Sequence, residues 1–355
     1  MSYTPDSMVA CPNLQARLND IFTNKAAQFY MQPIPLTEYL MSPINRNGLS
    51  MMVAPGSAKL KTVQLVYQPR QLQTDVQTDV STSSLCTAET ERGTTSAEYT
   101  IDETSNVFNE QLFNVDTLAR ACEDNNDYFN EQIMRMIAAA DVRVNTKNAV
   151  QAAALVGGWS TEVADITNAT LSGNDLQLRT LVPSSTFEPF PVSIEALDAA
   201  TMVSNFGPYA VIGGMQWYQY NRNLRAACCS QYGLDAGEIQ ALYGSANLYD
   251  KAVSTALGGA EFNLVIANGA TQLLYWNRAQ GLFGERYSGG AQNFGVVVSP
   301  ATGIPYDVVI KHDCYNISVT VCATTKVVAL PADMYQSGDD LEGVNGLAVL
   351  EVANP

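Results

Sequence analysis

The stretch 111–156 constrains this chain more than any other. Val115, Leu118, Cys122, Phe129, Ile133, Met136 or Ile137, Ala140 and Val144 recur three or four residues apart, the spacing of one helix face. Asp116–Arg120 and Glu131–Arg135 lie four apart with the acid first, the order that supports a helix. Gly157-Gly158 are expected to stop it. From Val115 to Val144 alone such a helix runs about 45 Å. It is a spine along which other elements must pack.

The chain before the spine is different in kind. Residues 1–60 read as an N-terminal arm. Leu14, Leu18, Ile21, Phe22 and Phe29 suggest one short helix there. Pro33, Pro35, Pro43, Pro55 and Pro69 then argue against a central helix or strand, so this segment is expected to lie extended on something else. Residues 61–105 read as a long hairpin flap with its tip near Gly93. Val63, Leu65 and Tyr67 share a face, but Thr, Ser, Gln and Asp dominate the rest of the segment. So few apolar residues cannot bury the flap on itself. It is either disordered or laid across a neighbouring molecule.

After the spine, strands and helices mix. Residues 159–190 are strand-like and rich in turns. "PVSIEALDAATMVSNFG" reads as a helix with Ile194, Leu197 and Met202 inward, "YAVIGG" as a buried strand, and "MQWYQYNRNLRAACCSQYG" as a helix. "EFNLVIANGATQLLYWNRAQG" reads as a strand, a turn at Asn268-Gly269, then a helix through Leu274 and Trp276. "YDVVIKHDCYNISVTVCATTKVVALP" is two or three strands, with Val308 and Ile310 on one face. The fold class is α+β, with no internal repeat.

Charge narrows the partners. Charged residues are only 15% of the chain, which points to a surface that other molecules cover. The net charge of −16 argues against affinity for nucleic acid or anionic membrane. From Gln71 to Glu131 thirteen acids face only Arg92 and Arg120. The seven cysteines (Cys11, Cys86, Cys122, Cys228, Cys229, Cys314 and Cys322) form no CxxC pair, so buried thiols from a reducing cytosol are expected. The N-terminus lacks the basic and apolar regions of a signal peptide, and no run is long and apolar enough for a membrane span.

Catalytic signals are thin. His312, the one histidine, has Cys314 two residues on, which sketches a Cys–His pair; the alternative is a strand histidine beside a buried thiol. No G-x-S-x-G elbow supports a serine nucleophile. "GSANLYDKA" and "SGGAQNFG" lack the Lys-Ser/Thr of a phosphate loop and neither follows a strand in a βαβ unit; "VIANGATQ" runs from strand to helix with one glycine. In "LPADMYQSGDDLEGVNG", Asp333, Asp339, Asp340 and Glu342 do not match a calcium loop, though carboxylates on such a turn could hold a hard cation weakly. The alternative is a turn between two strands. Tyr275-Trp276 reads as packing, because no basic patch surrounds it. No cofactor is implied.

The order of arm, acidic-polar flap, spine helix and α/β lobe resembles the major capsid proteins of tailed bacteriophages, with the Hong Kong 97-type fold. "NLVIANGATQLLYWNRAQG" and the C-terminal "LPADM…GD.L.GVNG" close carry the resemblance over about the last 150 residues. It implies an arm (1–60), an extended hairpin flap or E-loop (61–105), a peripheral domain (106–200) holding the spine at about 111–156, an axial domain (201–300), and C-terminal strands (301–355) completing both. It implies no enzyme activity, but a virion subunit made in the host bacterial cytoplasm that forms hexamers and pentamers of an icosahedral shell around double-stranded DNA. Decoration, scaffolding and portal proteins would be its partners. Contacts between copies are then expected at Gln71, Asp75, Asp79, Glu89, Arg92 and Glu98 of the flap and at Arg17 and Arg46 of the arm. Some family members crosslink through a flap lysine, but this chain has none between Lys61 and Lys147. Only a short helix precedes the arm, so a scaffolding segment is absent, separate or already removed. An encapsulin-like compartment shell, a tail-tube or decoration subunit, and an acid-dependent hydrolase are the rival readings.

Overall fold

A computed structural model of the chain describes residues 20, 23–24, 34–46, 52–53, 62–67, 95–101, 106–114, 128–166, 169–173, 175–179, 192–219, 246–276, 292–313, 316–334 and 343–353. Its elements in chain order are α1 (Pro35–Met41), α2 (Pro43–Arg46), β1 (Met52–Val53), β2 (Thr62–Tyr67), β3 (Thr95–Thr100), β4 (Asn106–Asn114), α3 (Tyr128–Ala154), β5 (Ala169–Ser172), β6 (Asp175–Arg179), α4 (Val192–Val203), β7 (Tyr209–Gly213), β8 (Ala246–Tyr249), α5 (Lys251–Leu257), β9 (Phe262–Ala267), β10 (Thr271–Trp276), β11 (Gln292–Val298), β12 (Pro305–Asp313), β13 (Asn316–Ala329) and β14 (Leu347–Ala353).

Two sheets hold the molecule. The first has the order β5-β6-β14-β9-β7-β8 and mixes parallel with antiparallel pairs. Its central strands are apolar on both faces, because each face meets a core. Ala210, Ile212, Leu264 and Ile266 enter one core, while Tyr209, Val211, Val265 and Ala267 enter the other. This two-residue alternation is the pleat itself. In the second sheet β13 pairs with β12, and β12 with β11. One edge of β13 is shared end to end by β12, opposite Asn316–Cys322, and β10, opposite Thr324–Ala329, while β4 pairs along the other edge, opposite Asn316–Thr324.

Helix α3 lies along the inner face of this second sheet. Ile133, Met136, Ile137, Ala140 and Val144 are buried against the inward residues Ile317, Val319, Val321 and Ala323 of β13 and Val107 and Phe113 of β4. Its 27 residues make a rod of about 40 Å. The spine is therefore present, but it begins later than its periodicity suggests. Residues 111–114 belong to β4 and pair with Asn316–Val319. The free edge of β13 gives them a complete ladder, and that overrides a local helical pattern. Val115, Leu118, Cys122 and the Asp116–Arg120 pair lie outside the described residues, as does the side chain of Phe129. At the other end Gly158 takes φ 115°, and the Gly157 and Gly158 amides both donate to Leu347 O. A Cβ at Gly157 would collide with the Gly343 carbonyl and the Asn345 side chain, so glycine is required by the close approach.

Several expectations are corrected. The arm is not extended throughout: Pro35 and Pro43 begin helices, where a missing N–H costs no intrahelical bond. Leu36, Tyr39, Leu40 and Met41 of α1 lie in the main core. The helix expected through Leu274 and Trp276 is strand β10, paired from Thr271↔Ala329 to Trp276↔Thr324. "GSANLYDKA" itself spans β8 and the start of α5, and because β8 and β9 run antiparallel it opens no βαβ unit, as expected. Met202 on α4 is 73% exposed, while Ala196, Leu197 and Ala200 face the core. The helix expected after Gly214 is described only over residues 215–219. Leu14, Leu18, Ile21, Phe22, Phe29 and the side chain of Ile194 lie outside the described residues.

Candidate assembly surface

The flap's strands pair as expected. β2 and β3 are antiparallel from Thr62↔Thr100 to Tyr67↔Thr95, and Gly93, expected at the tip, lies outside the described residues. β1 adds Met52 and Val53 against Gln64 and Val63, so the arm contributes a third strand. One face of the hairpin carries Val63 and Tyr99 onto Ile101, Leu274, Trp276 and Val328, a small core separate from the two large ones. Leu65 on the same face is buried, while Val66 on the other is exposed.

Three polar contacts fix this base to the end of β13 and the 3-10 turn after it. The Tyr67 hydroxyl donates to the Asp333 carboxylate at 2.8 Å from either oxygen. The Tyr99 hydroxyl donates to Ala329 O at 2.8 Å, and Lys326 Nζ donates to Thr100 O at 2.6 Å. Burial pushes the Tyr67 phenol up to about 12, helped by its donated bond to Asp333 and the negative charge there. Burial raises Tyr99 as well, with the same carboxylate adding to it. Both hydroxyls thus stay protonated and able to donate. Asp333, read from sequence as a cation ligand or a turn residue, is a hairpin anchor. Tyr67 and Tyr99 were not singled out as anchors; large aromatics inside a polar strand pair are the signal that could have marked them.

Among the described residues, nothing covers the outer face of the second sheet at β4. Phe108 and Leu112 of β4 point away from α3 and are 71% and 66% exposed. Glu110 between them accepts from Ser318 Oγ at 2.8 Å. Val296 and Val298 of β11 are exposed on the far side of this sheet. Exposed apolar surface grouped in this way is a feature of contact sites.

Two of the deeply buried acids, Asp141 and Asp250, serve the fold. Asp141 of α3 accepts from Ser299 Oγ (2.6 Å), Thr302 Oγ1 (3.0 Å) and Tyr306 Oη (2.7 Å). Asp250 accepts from the Ala252 amide on one oxygen and from the Leu36 amide and Asn145 Nδ2 on the other. Its carboxylate occupies the start of α5, where a phosphate would have to sit. "VIANGATQ" passes from strand to strand, so its glycine opens no helix either. His312 pairs with Ile317 across β12 and β13; its side chain and Cys314 lie outside the described residues. Asp339, Asp340 and Glu342 also lie outside them. Cys322 is in no disulfide. Among the described residues no three His, Cys, Asp or Glu gather as metal ligands, and no helix is long and apolar enough to cross a membrane.

Of the residues expected at contacts between copies, Glu98 is exposed on β3 opposite Gln64, and Arg46 ends α2. Gln71, Asp75, Asp79, Glu89, Arg92 and Arg17 lie outside the described residues.

No family model matches the chain, and no curated protein matches it. Solved structures do. A chain of the Cyanophage A-1(L) capsid asymmetric unit superposes with a TM-score of 0.53 at 11% identity, over 92% of this chain and 94% of that one. The bacteriophage PhiM1 mature capsid gives a TM-score of 0.47 at 11% identity, over 88% and 87%. The virus-like particle from Pyrococcus furiosus gives 0.37 at 9%, over 96% and 98%. The chain thus shares a mixed helix-and-sheet fold with a chain of the cyanophage capsid.

Proposed function

We propose that this chain is the major capsid protein of a tailed bacteriophage, a structural subunit of the Hong Kong 97 type that self-assembles into an icosahedral shell around double-stranded DNA. The observation that carries this is the likeness to a cyanophage capsid chain along nearly the whole length of both. The open apolar face and the hairpin, anchored at its base alone among the described contacts, are consistent with it. A lone subunit gains nothing from either; a repeated contact between copies uses both. The net charge of −16 suits a wall that must not bind the packed DNA.

In this reading residues 61–105 are the flap, the spine belongs to a peripheral domain within 106–200, residues 201–300 form the axial domain, and 301–355 complete both. The flap residues Gln71, Asp75, Asp79, Glu89, Arg92 and Glu98 and the arm residues Arg17 and Arg46 would meet neighbouring copies in hexamers and pentamers. The subunit's role is structural rather than catalytic.

Electron microscopy of the purified chain, with size-exclusion chromatography, tests the proposal. Capsomer rings or closed shells are expected. Tubes would point to a tail subunit, uniform small shells loaded with protein to an encapsulin, and a monomer under all salt conditions would sink the assembly reading.

A further inference from the structure

The segment that looked like a loose arm makes the densest set of long-range polar contacts among the described residues. The chain passes from the first sheet to the second at Asn268-Gly269-Ala270, between β9 and β10. Gly269 takes φ 81° there, and the Ala270 amide closes the turn on Ala267 O at 3.0 Å. Residues of α1 and α2 hold this corner from outside. Asn45 donates to Thr271 O at 2.8 Å and accepts from the Gly269 amide at 3.2 Å. The Tyr39 hydroxyl donates to Asn268 Oδ1 at 2.7 Å.

The same short segment is tied to the elements on either side. Its Leu36 amide donates to Asp250, directly after β8 of the first sheet. Thr37 donates its amide and hydroxyl to Asn145 Oδ1 of α3. Asn148 of α3 donates back to the Thr37 hydroxyl and accepts from Thr325 of β13 in the second sheet. Thr37 and Asn45 are buried, so each broken bond leaves a polar group without water.

We propose that α1 and α2 form a corner clamp that sets the angle between the two sheets. Packing alone allows neighbouring sheets a range of angles; directional bonds to the turn residues select one. If the chain assembles as proposed, on which this step rests, the clamp also fixes the curvature of the shell, because it sets the outer face of the second sheet relative to the rest of the subunit.

The test uses the full chain with Tyr39→Phe/Asn45→Ala, and with Tyr39→Phe alone as the mild variant that keeps the ring packed. Hydrogen exchange is read at residues 268–273, and assembled particles are sized by electron microscopy. The clamp predicts exchange there rising about tenfold in the double variant, the factor that losing one or two net hydrogen bonds gives. It predicts a smaller rise in the single variant and a broader spread of shell diameters than the parent's. Faster exchange with unchanged diameters overturns the link to curvature, and unchanged exchange overturns the clamp itself. If the double variant fails to fold, the single variant decides on the same two readouts. If the parent makes no shells, the assembly reading fails separately. Small-angle scattering of the subunit then judges the clamp: a wider spread of dimensions in Tyr39→Phe supports it, and an identical profile rejects it.

Discussion

The two sheets bury their strands differently. In the first, β7 and β9 are covered on both faces, and almost every residue of "YAVIG" and "FNLVIA" is buried. In the second, β13 alternates, with Ile317, Val319 and Val321 buried against α3 and their neighbours half-buried on the outer side. The first sheet is finished within one chain. The second has one face that the chain's described elements leave uncovered at Phe108 and Leu112. Stability and assembly should therefore separate: substitutions in one sheet unfold the subunit, while substitutions on the outer face of the other spare it.

The largest effect is expected inside the first sheet. Leu264 is fully buried in the main core, and Leu264→Ala should cost about 2–5 kcal/mol in urea unfolding. Next comes the inner side of the second sheet. Asp141→Ala strands the hydroxyls of Ser299, Thr302 and Tyr306 and should cost about 2–3 kcal/mol in the same assay. If Asp141→Ala is silent, these three bonds add nothing to the hold of α3 on the strands. On the outer face, Phe108→Ser with Leu112→Ser should change subunit stability by no more than about 0.5 kcal/mol each. Assembly by the same variant should fail in electron microscopy. A subunit destabilised as much as by Leu264→Ala would break the contrast between the sheets.

The sequence made the central elements legible where one physical signal dominated. Ile133, Ile137, Ala140 and Val144 gave α3 its face, and "YAVIGG" could only be a strand buried on both sides. The hairpin followed from Val63, Leu65 and Tyr67 alternating ahead of a long polar stretch. Elements set by partners distant in sequence were misread. "TQLLYW" has both helical and strand spacing, and only the free edge of β13 chooses. The opposite edge of β13 claims residues 111–114 from the spine. Proline content marked α1 and α2 as irregular because sequence alone does not show that Pro35 and Pro43 sit at helix starts. The anchors Asp333, Asp141 and Asp250 were illegible for the same reason: their donors lie up to 266 residues away.

The smallest effect comes from Glu38, on the helix that bridges the two sheets. Its carboxyl titrates above its ordinary value of 4.5, first because it is partly buried, then because Asp141 and Asp250 place negative charge nearby. The folded state therefore binds this proton more readily than the unfolded state does. By linkage, stability is higher below about 4.5 and falls as pH rises through the folded value, after which the penalty stays constant. Because the side chain is largely solvated, screening keeps the effect small. Glu38→Gln removes the charge and keeps the shape. Its melting temperature should match the parent's at acid pH and exceed it slightly at neutral pH, with the gap opening as Glu38 ionises. A gap that stays constant with pH would mean that the Glu38 charge does not oppose the docking of α1.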